Sequence, residues 1–524
     1  MHKRLNRREA LKVFGVAAAA AAAGISEGQG GEAENGSLLA IDPKPCFDLS
    51  PYLYMQFMEP LGVTDGSVEA AWDLHGDHWR NDFVEVTSQL APALIRWGGC
   101  FSSYYRWKEG VGPRTQRVPM ENLLWGGWES NQIGTAEFVE FCRQVGADPL
   151  MCVNFEGDGR QRWAVSPHGS PRAAGPEEAA AWVDYCNNPA NATRIAHGLN
   201  KPCTIPLWQI GNETSYDRKG FDCETAAQKT LAFAKAMHKT DPKIALIGWG
   251  DSGWAKRMIE IAGEELKYVA FHHHPGASKD SPLQGTDYRK DPARTWQFLM
   301  DGHKSHEAKI REIRQETAGS GISLALTESH FSLPGPNRCA VLSSWAAGVA
   351  MARFLNVHTR HGDVLKIATA ADFCGTRWTN NAVMLPVPAG NGKAFMMPVA
   401  RVMGLYRAHV GAKAVRVTKT PDELDVTASR TGNRVFLHVV NTSRTRSIAA
   451  RPTVGGMSIR AGSVFQIATD PEFEVWSAVA EVLAPQRKPL DLKGPWTFPP
   501  ASVSAVELDC QEPNSLHAGG LLRL

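Results

Sequence analysis

The sequence has 524 residues, 43% hydrophobic and 21% charged, the make-up of a globular protein rather than a disordered or fibrous one. Its 56 basic and 54 acidic residues leave a formal net charge of +2, and no block of Lys or Arg marks a phosphate-tracking surface, so no nucleic acid partner is expected. The length exceeds one ordinary domain and suits a barrel of ~250–350 residues with a module of ~100.

Residues 1–33 read as an export leader. His2-Lys3-Arg4 and Arg7-Arg8 precede an apolar run from Val13 to Ala23, and a stretch rich in Gly, Ser and Glu follows. Asn6-Arg7-Arg8-Glu9-Ala10-Leu11-Lys12 resembles the twin-arginine export signal, with Ala10 where that pattern prefers Phe. The competing reading is an uncleaved amphipathic helix. The apolar run is shorter than the ~20 residues that cross a bilayer, and no later segment qualifies, so no membrane span is expected. A bacterial protein folded in a reducing cytosol and then exported, to the periplasm or beyond the cell, fits this leader. The ten cysteines show no CxxC pair and no zinc spacing, and most sit in apolar patterns as small hydrophobes. A Cys186–Cys203 disulfide after export stays open.

From 50 to 400 strand-like and helix-like segments alternate, the signature of parallel βα units. Ala93-Leu94-Ile95-Arg96-Trp97 is a strand pattern, and Gly134 to Phe141 begins a helix. Leu150 to Asn154 is a buried strand, 177–186 a helix, 206–210 a strand and 223–239 a long amphipathic helix. Ile244 to Gly248, Tyr268 to Phe271 and Ile322 to Leu326 continue the series, and a helix over 341–356 with a strand over 365–368 completes it. About eight such strands make a (β/α)8 TIM barrel. The pattern then changes. Segments 423–428, 434–441 and 502–508 alternate with period two, so 401–512, joined by 37–49, are expected to form a C-terminal antiparallel β-sandwich. Residues 513–524 read as a tail.

Two of these strands end in a glutamate: Leu207-Trp208-Gln209-Ile210-Gly211-Asn212-Glu213 and Leu324-Ala325-Leu326-Thr327-Glu328. Catalytic groups of such barrels sit at the C-terminal ends of strands. Two carboxylates facing across that mouth are what glycoside hydrolysis needs, one to protonate the leaving oxygen, the other to attack the sugar carbon or activate a water. At ~30 residues per βα unit, the two fall on roughly the fourth and seventh strands. A lone glutamate after a strand is more often an ordinary surface or ion-pair group, so the surrounding sequence has to decide. His272-His273-His274 invites a metal, but consecutive strand residues point to opposite faces, so no metal and no cofactor is expected. The 16 tryptophans read mostly as core, with a lean towards the flat aromatic faces of sugar clefts.

Several blocks follow one another in a telling order. They are Gln56-Phe57-Met58-Glu59-Pro60-Leu61-Gly62, then Ile95-Arg96-Trp97-Gly98-Gly99-Cys100-Phe101, then Trp107 with Gly110 to Arg114. Next come Trp125, Glu129, Asn131, Ile133 and Gly134, the pairs Glu137-Phe138 and Phe141-Cys142, the helix from Ala179 to Asn187, and Gly211-Asn212-Glu213. Together they resemble the α-L-arabinofuranosidases of glycoside hydrolase family fifty-one, among the clan A retaining glycosidases, from about Tyr52 to Leu508. The resemblance implies that Glu213 is the acid/base and Glu328 the nucleophile of a double displacement, with Asn212 on the sugar 2-hydroxyl. It implies sugar contacts from Glu59, Arg96, Trp125, His272 and the positions of Cys100 and His274. Glu59 has a buried pair with Arg96 as its alternative role, and Trp125 has core packing. Glu213 must start protonated, so burial and the Glu328 charge are expected to raise its pKa.

The departures bear on substrate. Cys100 stands where the family has a sugar-binding Asn, and His274 where it has Tyr. Thr327, Ser329 and His330 replace Asp, Trp and Asn, and Trp97-Gly98 replaces aromatic-Pro. Such changes remove or re-aim hydrogen bonds to the sugar. The expectation is an exported enzyme releasing terminal α-L-arabinofuranosyl residues from polysaccharide. Its rivals are the same chemistry on a galactofuranoside, D-arabinofuranoside, xyloside or internal linkage, and a non-catalytic carbohydrate-binding relative. Homo-oligomers are common in the resembled family, although no stretch here marks an interface.

Overall fold

The computed structural model describes residues 37–276, 283 and 285–512. The leader at 1–33 and the tail at 513–524 lie outside the described residues. Eight strands, all parallel and in chain order, form one sheet: β1 (Gln56–Met58), β2 (Leu94–Trp97), β3 (Asp148–Val153), β4 (Leu207–Ile210), β5 (Ala245–Trp249), β6 (Tyr268–His273), β7 (Ser323–Ser329) and β8 (Leu365–Ala368). The seam is closed by the backbone: the Met55 N–H just before β1 donates to the Ala368 carbonyl of β8 at 3.0 Å. A helix follows each strand in turn: α1 (Asn81–Leu90), α2 (Thr135–Val145), α3 (Pro176–Asn187), α4 (Cys223–Thr240), α5 (Ala255–Ala262), α6 (Pro292–Glu316), α7 (Trp345–Arg360) and α8 (Pro398–Ala408). The expected barrel is therefore present. Residue 400, the expected end of the barrel, falls inside α8.

Local chemistry fixes these helices where the sequence pattern puts them. The Asp222 side chain accepts from the Thr225 N–H to start α4, and Asp291 caps Arg294 with Pro292 in the first turn of α6. The Glu137 carboxylate reaches back to the Gly134 N–H at 2.9 Å to open α2. Inside the barrel, Leu94, Leu150, Leu207, Ile247, Ala270, Ala325 and Ile367 form one apolar cluster with Met55, one contribution from every strand or its entry. That filled layer is a floor under the mouth.

The second sheet has nine strands in the order Gln486–Pro489, Ser458–Ala468, Ser502–Gln511, Arg434–Asn441, Leu424–Thr431, Lys413–Lys419, Ser37–Asp48, Ile448–Val454 and Trp496–Phe498. It is antiparallel except where Ser37–Asp48 runs parallel to Ile448–Val454. Leu39, Val415, Leu437, Val464, Val506 and Phe498, from strands across the whole order, share one core. The expected C-terminal antiparallel β domain is thus present, with strands from across the order enclosing one apolar interior.

Helix α7 lies between barrel and sheet, and every side chain along it is buried except Arg353 and Arg360. A helix apolar on all sides needs neighbours on all sides. Its two arginines converge on Asp425 of the second sheet, at 3.0 Å and 2.7 Å, and Asn356 donates to the same carboxylate at 3.1 Å. Burial pushes the Asp425 carboxyl up, but the two guanidiniums prevail and hold it below the usual range. All ten cysteines are free thiols, and Cys186 and Cys203 hydrogen-bond to each other. Among the described residues no helix is long and apolar enough to cross a membrane. Asp425→Ala leaves two cations facing a buried gap, so it is expected to cost about 3–5 kcal/mol. A lower urea midpoint with an unchanged slope is the readout.

Candidate active site

Two residues beyond the apolar floor, on the inward face of six of the strands, lie Arg96, Cys152, Gln209, Trp249, His272 and Thr327, all buried and most of them polar. Arg96 is fully buried and is bonded on three sides. Its Nε donates to Gln209 Oε1 at 2.9 Å, Nη1 to Glu328 Oε1 at 2.8 Å and Nη2 to Asn212 Oδ1 at 2.5 Å. A guanidinium removed from water requires such pairing.

The two glutamates reach this layer by different backbone devices. After β4 the chain turns through Gly211 at φ 79°, and Glu213 itself sits in the left-handed region at φ 51°. A Cβ on Gly211 would lie 2.8 Å from Thr214 Oγ1 and 3.0 Å from the Phe155 ring. On β7 strict alternation would turn Glu328 away from the face that carries Thr327. The pairing with β6 skips a residue: Phe271 faces Leu326, but His272 faces Glu328. That bulge at Thr327 re-aims Glu328 into the mouth.

Each carboxylate divides its oxygens. Glu328 Oε1 takes the Arg96 bond, while Oε2 lies 3.6 Å from His272 Nδ1. Glu213 Oε2 accepts from the Cys100 thiol at 3.4 Å, while Oε1 lies 3.0 Å from the same His272 Nδ1. His272 Nε2 meets Thr327 Oγ1 at 2.9 Å, and the Trp249 ring packs edge-on against the imidazole at 4.7 Å. Ligand-type atoms of Glu213, His272, His274 and Glu328 all lie within 4.8 Å of one another. The two glutamates are therefore neighbours across the mouth.

The acidity of Glu213 runs opposite to the sequence expectation. Burial is the largest influence on Glu213 and pushes it up, but the His272 bond and charge, the Cys100 thiol and Arg160 outweigh it and hold the carboxyl below its usual range. In Glu328 burial prevails over the charges of His272 and Arg96, and the carboxyl sits above its usual range. Two carboxyls sharing one imidazole titrate as a unit, and in this geometry Glu213 is the lower partner.

The remaining expected residues gather around the pair. Glu59, after β1, accepts from Trp125 Nε1 at 3.1 Å and from the Phe101 N–H at 3.4 Å. Burial, followed by the Glu328 charge, raises it well above the usual carboxylate range. Gly99, at φ 147°, passes so close that a Cβ there would lie 2.2 Å from Glu59 Cδ. Trp125 is half-buried and packs edge-on against Trp378 at 5.3 Å, with Arg338 over the Trp378 face at 4.2 Å. The His274 ring packs at a tilt, 4.3 Å between centroids, against His330, whose Nε2 lies 3.4 Å from Asp372. Asn212 Nδ2 approaches Cys100 Sγ at 3.8 Å.

A (β/α)8 barrel with two carboxylates facing each other at its C-terminal mouth is the architecture of a glycoside hydrolase. Comparison with known proteins narrows the class. The Alpha-L-arabinofuranosidase 1 domain family matches residues 86–291, which include Arg96, Asn212, Glu213 and His272 but not Glu59 or Glu328. A probable alpha-L-arabinofuranosidase C of Aspergillus flavus is 32% identical over 228 residues, 41% of this chain and 42% of that protein. An intracellular exo-alpha-(1->5)-L-arabinofuranosidase of Acetivibrio thermocellus is 30% identical over 250 residues, 44% of this chain and 46% of that one. The chain thus matches under half the length of these curated relatives. In fold it is similar to the family 51 α-L-arabinofuranosidases of Bifidobacterium longum (TM-score 0.73, 20% identity) and Thermotoga petrophila (TM-score 0.71, 22% identity). Each comparison covers 90% of this chain and 99% of the other. Domain, sequence and fold agree with the resemblance to family fifty-one.

Two residues of the site stand outside the sequence expectation. Gln209 was readable, since it stands two positions after Leu207 on the inward face. Asp158 was not. It lies after β3 and accepts from Ser103 and, at 2.9 Å, from Thr214, which follows Glu213. Burial pushes its carboxyl up to about 6, against Arg160, the hydroxyls and the Asn212 N–H. A folded-state value above the unfolded one means that this carboxyl's contribution to stability is full below about pH 4 and is lost as pH rises through about 6. In Asp158→Asn the thermal midpoint should therefore depend less on pH across this window than in the parent, as read from melts at stepped pH.

Proposed function

We propose that the chain is an exported retaining glycosidase that releases terminal α-L-arabinofuranosyl residues from polysaccharide by double displacement. The observation that carries this reading is the pair of carboxylates on β4 and β7, each offering an oxygen within 4.8 Å of the other's. Retaining glycosidases hold the two groups ~5–5.5 Å apart, whereas inverting ones need ~6.5–9.5 Å to admit a water. The short spacing favours direct attack by a side chain.

Glu328 is the nucleophile. Arg96 fixes its Oε1 and leaves Oε2 turned to the cleft. Glu213 is the acid/base. A glycosidic oxygen that takes the Oε1 face now turned to His272 removes the contact that holds this carboxyl down, and burial then pushes it up, as a general acid requires. Formation of the glycosyl ester removes the Glu328 charge, which lowers Glu213 again so that it can accept a proton from the incoming water. Asn212, steered by Arg96, presents its amide to the sugar 2-hydroxyl. The sugar assignment draws on the arabinofuranosidase names of the relatives, and export on the leader at 1–33.

A second reading keeps the chemistry and changes the sugar. Cys100 gives its thiol to Glu213 and stands within reach of the Asn212 amide, so that side of the pocket offers sulfur in place of an amide. A panel of nitrophenyl furanosides and pyranosides separates the two readings. On the preferred substrate, Glu328→Gln and Glu213→Gln are expected to lower kcat by at least ~10²–10⁴-fold. NMR of the first sugar released should show the α anomer. Unchanged turnover in either variant, or release of the inverted anomer, would remove the proposal.

A further inference from the structure

The pair of catalytic glutamates comes with two imidazoles, and the way their free atoms point is more than a sugar site requires. Glu328 uses Oε1 for Arg96 and Glu213 uses Oε2 for the Cys100 thiol, so the two remaining oxygens both face His272 Nδ1, at 3.6 Å and 3.0 Å. His272 is held from behind by Thr327 Oγ1 on Nε2 at 2.9 Å. Metal-binding imidazoles are oriented by this kind of contact on the far ring nitrogen. His274 adds a fourth group. Its Nδ1 is buried without a hydrogen-bond partner, and its ring packs against that of His330 in a tilted pair at 4.3 Å. One atom from each of the four residues fits within a common 4.8 Å.

We propose that Glu213, His272, His274 and Glu328 form a four-ligand site for a zinc ion, which occupies the mouth in competition with the sugar. Zinc with nitrogen and oxygen ligands at ~2.1 Å in a tetrahedron needs ligand atoms ~3.4 Å apart. The contacts at 3.0 Å and 3.6 Å bracket that value, and no pair in the set exceeds 4.8 Å, so closing the site takes side-chain shifts of up to about 1.4 Å from the ~3.4 Å spacing. Imidazole with carboxylate suits zinc, and two carboxylates neutralise its charge. Binding needs the lone pair of His272 Nδ1. The Thr327 hydroxyl both donates and accepts, so the ring proton can move to Nε2 and remain hydrogen-bonded. The fourth ligand, the imidazole at position 274, stands where the resembled family has tyrosine. Because the ion would ligate both catalytic carboxylates, zinc acts as a reversible inhibitor. This consequence rests on the glycosidase reading, whereas the binding does not.

The test is equilibrium dialysis of chelator-stripped, full-length protein against zinc, with cobalt(II) as a spectroscopic substitute. One tightly bound ion per chain is expected, with the visible absorption of a four-coordinate cobalt centre. His274→Gln and Glu213→Gln should each weaken binding at least tenfold, with near-ultraviolet circular dichroism confirming that each variant is folded. Zinc should raise KM for the aryl glycoside and leave kcat unchanged. Absence of a stoichiometric site, or affinity unaltered in both variants, overturns the proposal. So does a thiolate-to-cobalt band, which would put Cys100 in the place of His274. Zinc bound by a protein that hydrolyses no glycoside would leave the site standing and remove the glycosidase reading instead.

Discussion

A positive charge without water organises the mouth of this barrel. Arg96 is fully buried, and its three hydrogen-bonding directions are spent on β4, on the turn after β4 and on β7. An unpaired guanidinium at that depth would cost several kcal/mol, so the partners are drawn in and held. Glu328 is thereby fixed by one oxygen and Asn212 by its carbonyl. The following glycine answers the same demand, since a Cβ at Gly98 would lie 2.9 Å from the Arg96 guanidinium carbon. Geometry on three strands thus follows from the need to solvate one side chain with protein.

On the opposite side of the carboxylate pair the chemistry is softer. His272 faces both glutamates, a thiol touches Glu213, and a tilted pair of imidazoles, His274 and His330, stands next to them. The residues that depart from the resembled family, Cys100, His274, Ser329 and His330, gather here, while Arg96, Asn212, Glu213 and Glu328 keep the family pattern on the Arg96 side. Burial pushes Glu213 up, and the His272 contact on this side, with the Cys100 thiol and Arg160, holds it low.

The barrel was legible because its strands repeat one rule. Leu94 and Arg96, Leu207 and Gln209, Ala325 and Thr327 are each two apart and face inward, apolar at the floor and polar at the rim. Period two carries the floor, and the same period misplaces Glu328. Only the extra residue at Thr327 brings that carboxylate round, and a bulge leaves no trace in a pattern of hydrophobicity. Pattern alone also marked strands of the second sheet without their order, because the parallel pairing of Ser37–Asp48 with Ile448–Val454 joins segments some four hundred residues apart. The acidity of Glu213 escaped for another reason. It is set by an imidazole 3.0 Å away that lies far along the chain.

That N-terminal strand has a kinetic implication. Ser37–Asp48 precedes the whole barrel in the chain, while its neighbours Lys413–Lys419 and Ile448–Val454 follow it. Until those two segments have been synthesised it is an edge with nothing to pair with, and the order of the sheet cannot close around it. High contact order of this kind delays its assembly until the barrel has been made. The barrel can form as its units emerge, whereas the second sheet works as a clasp that is fastened after it.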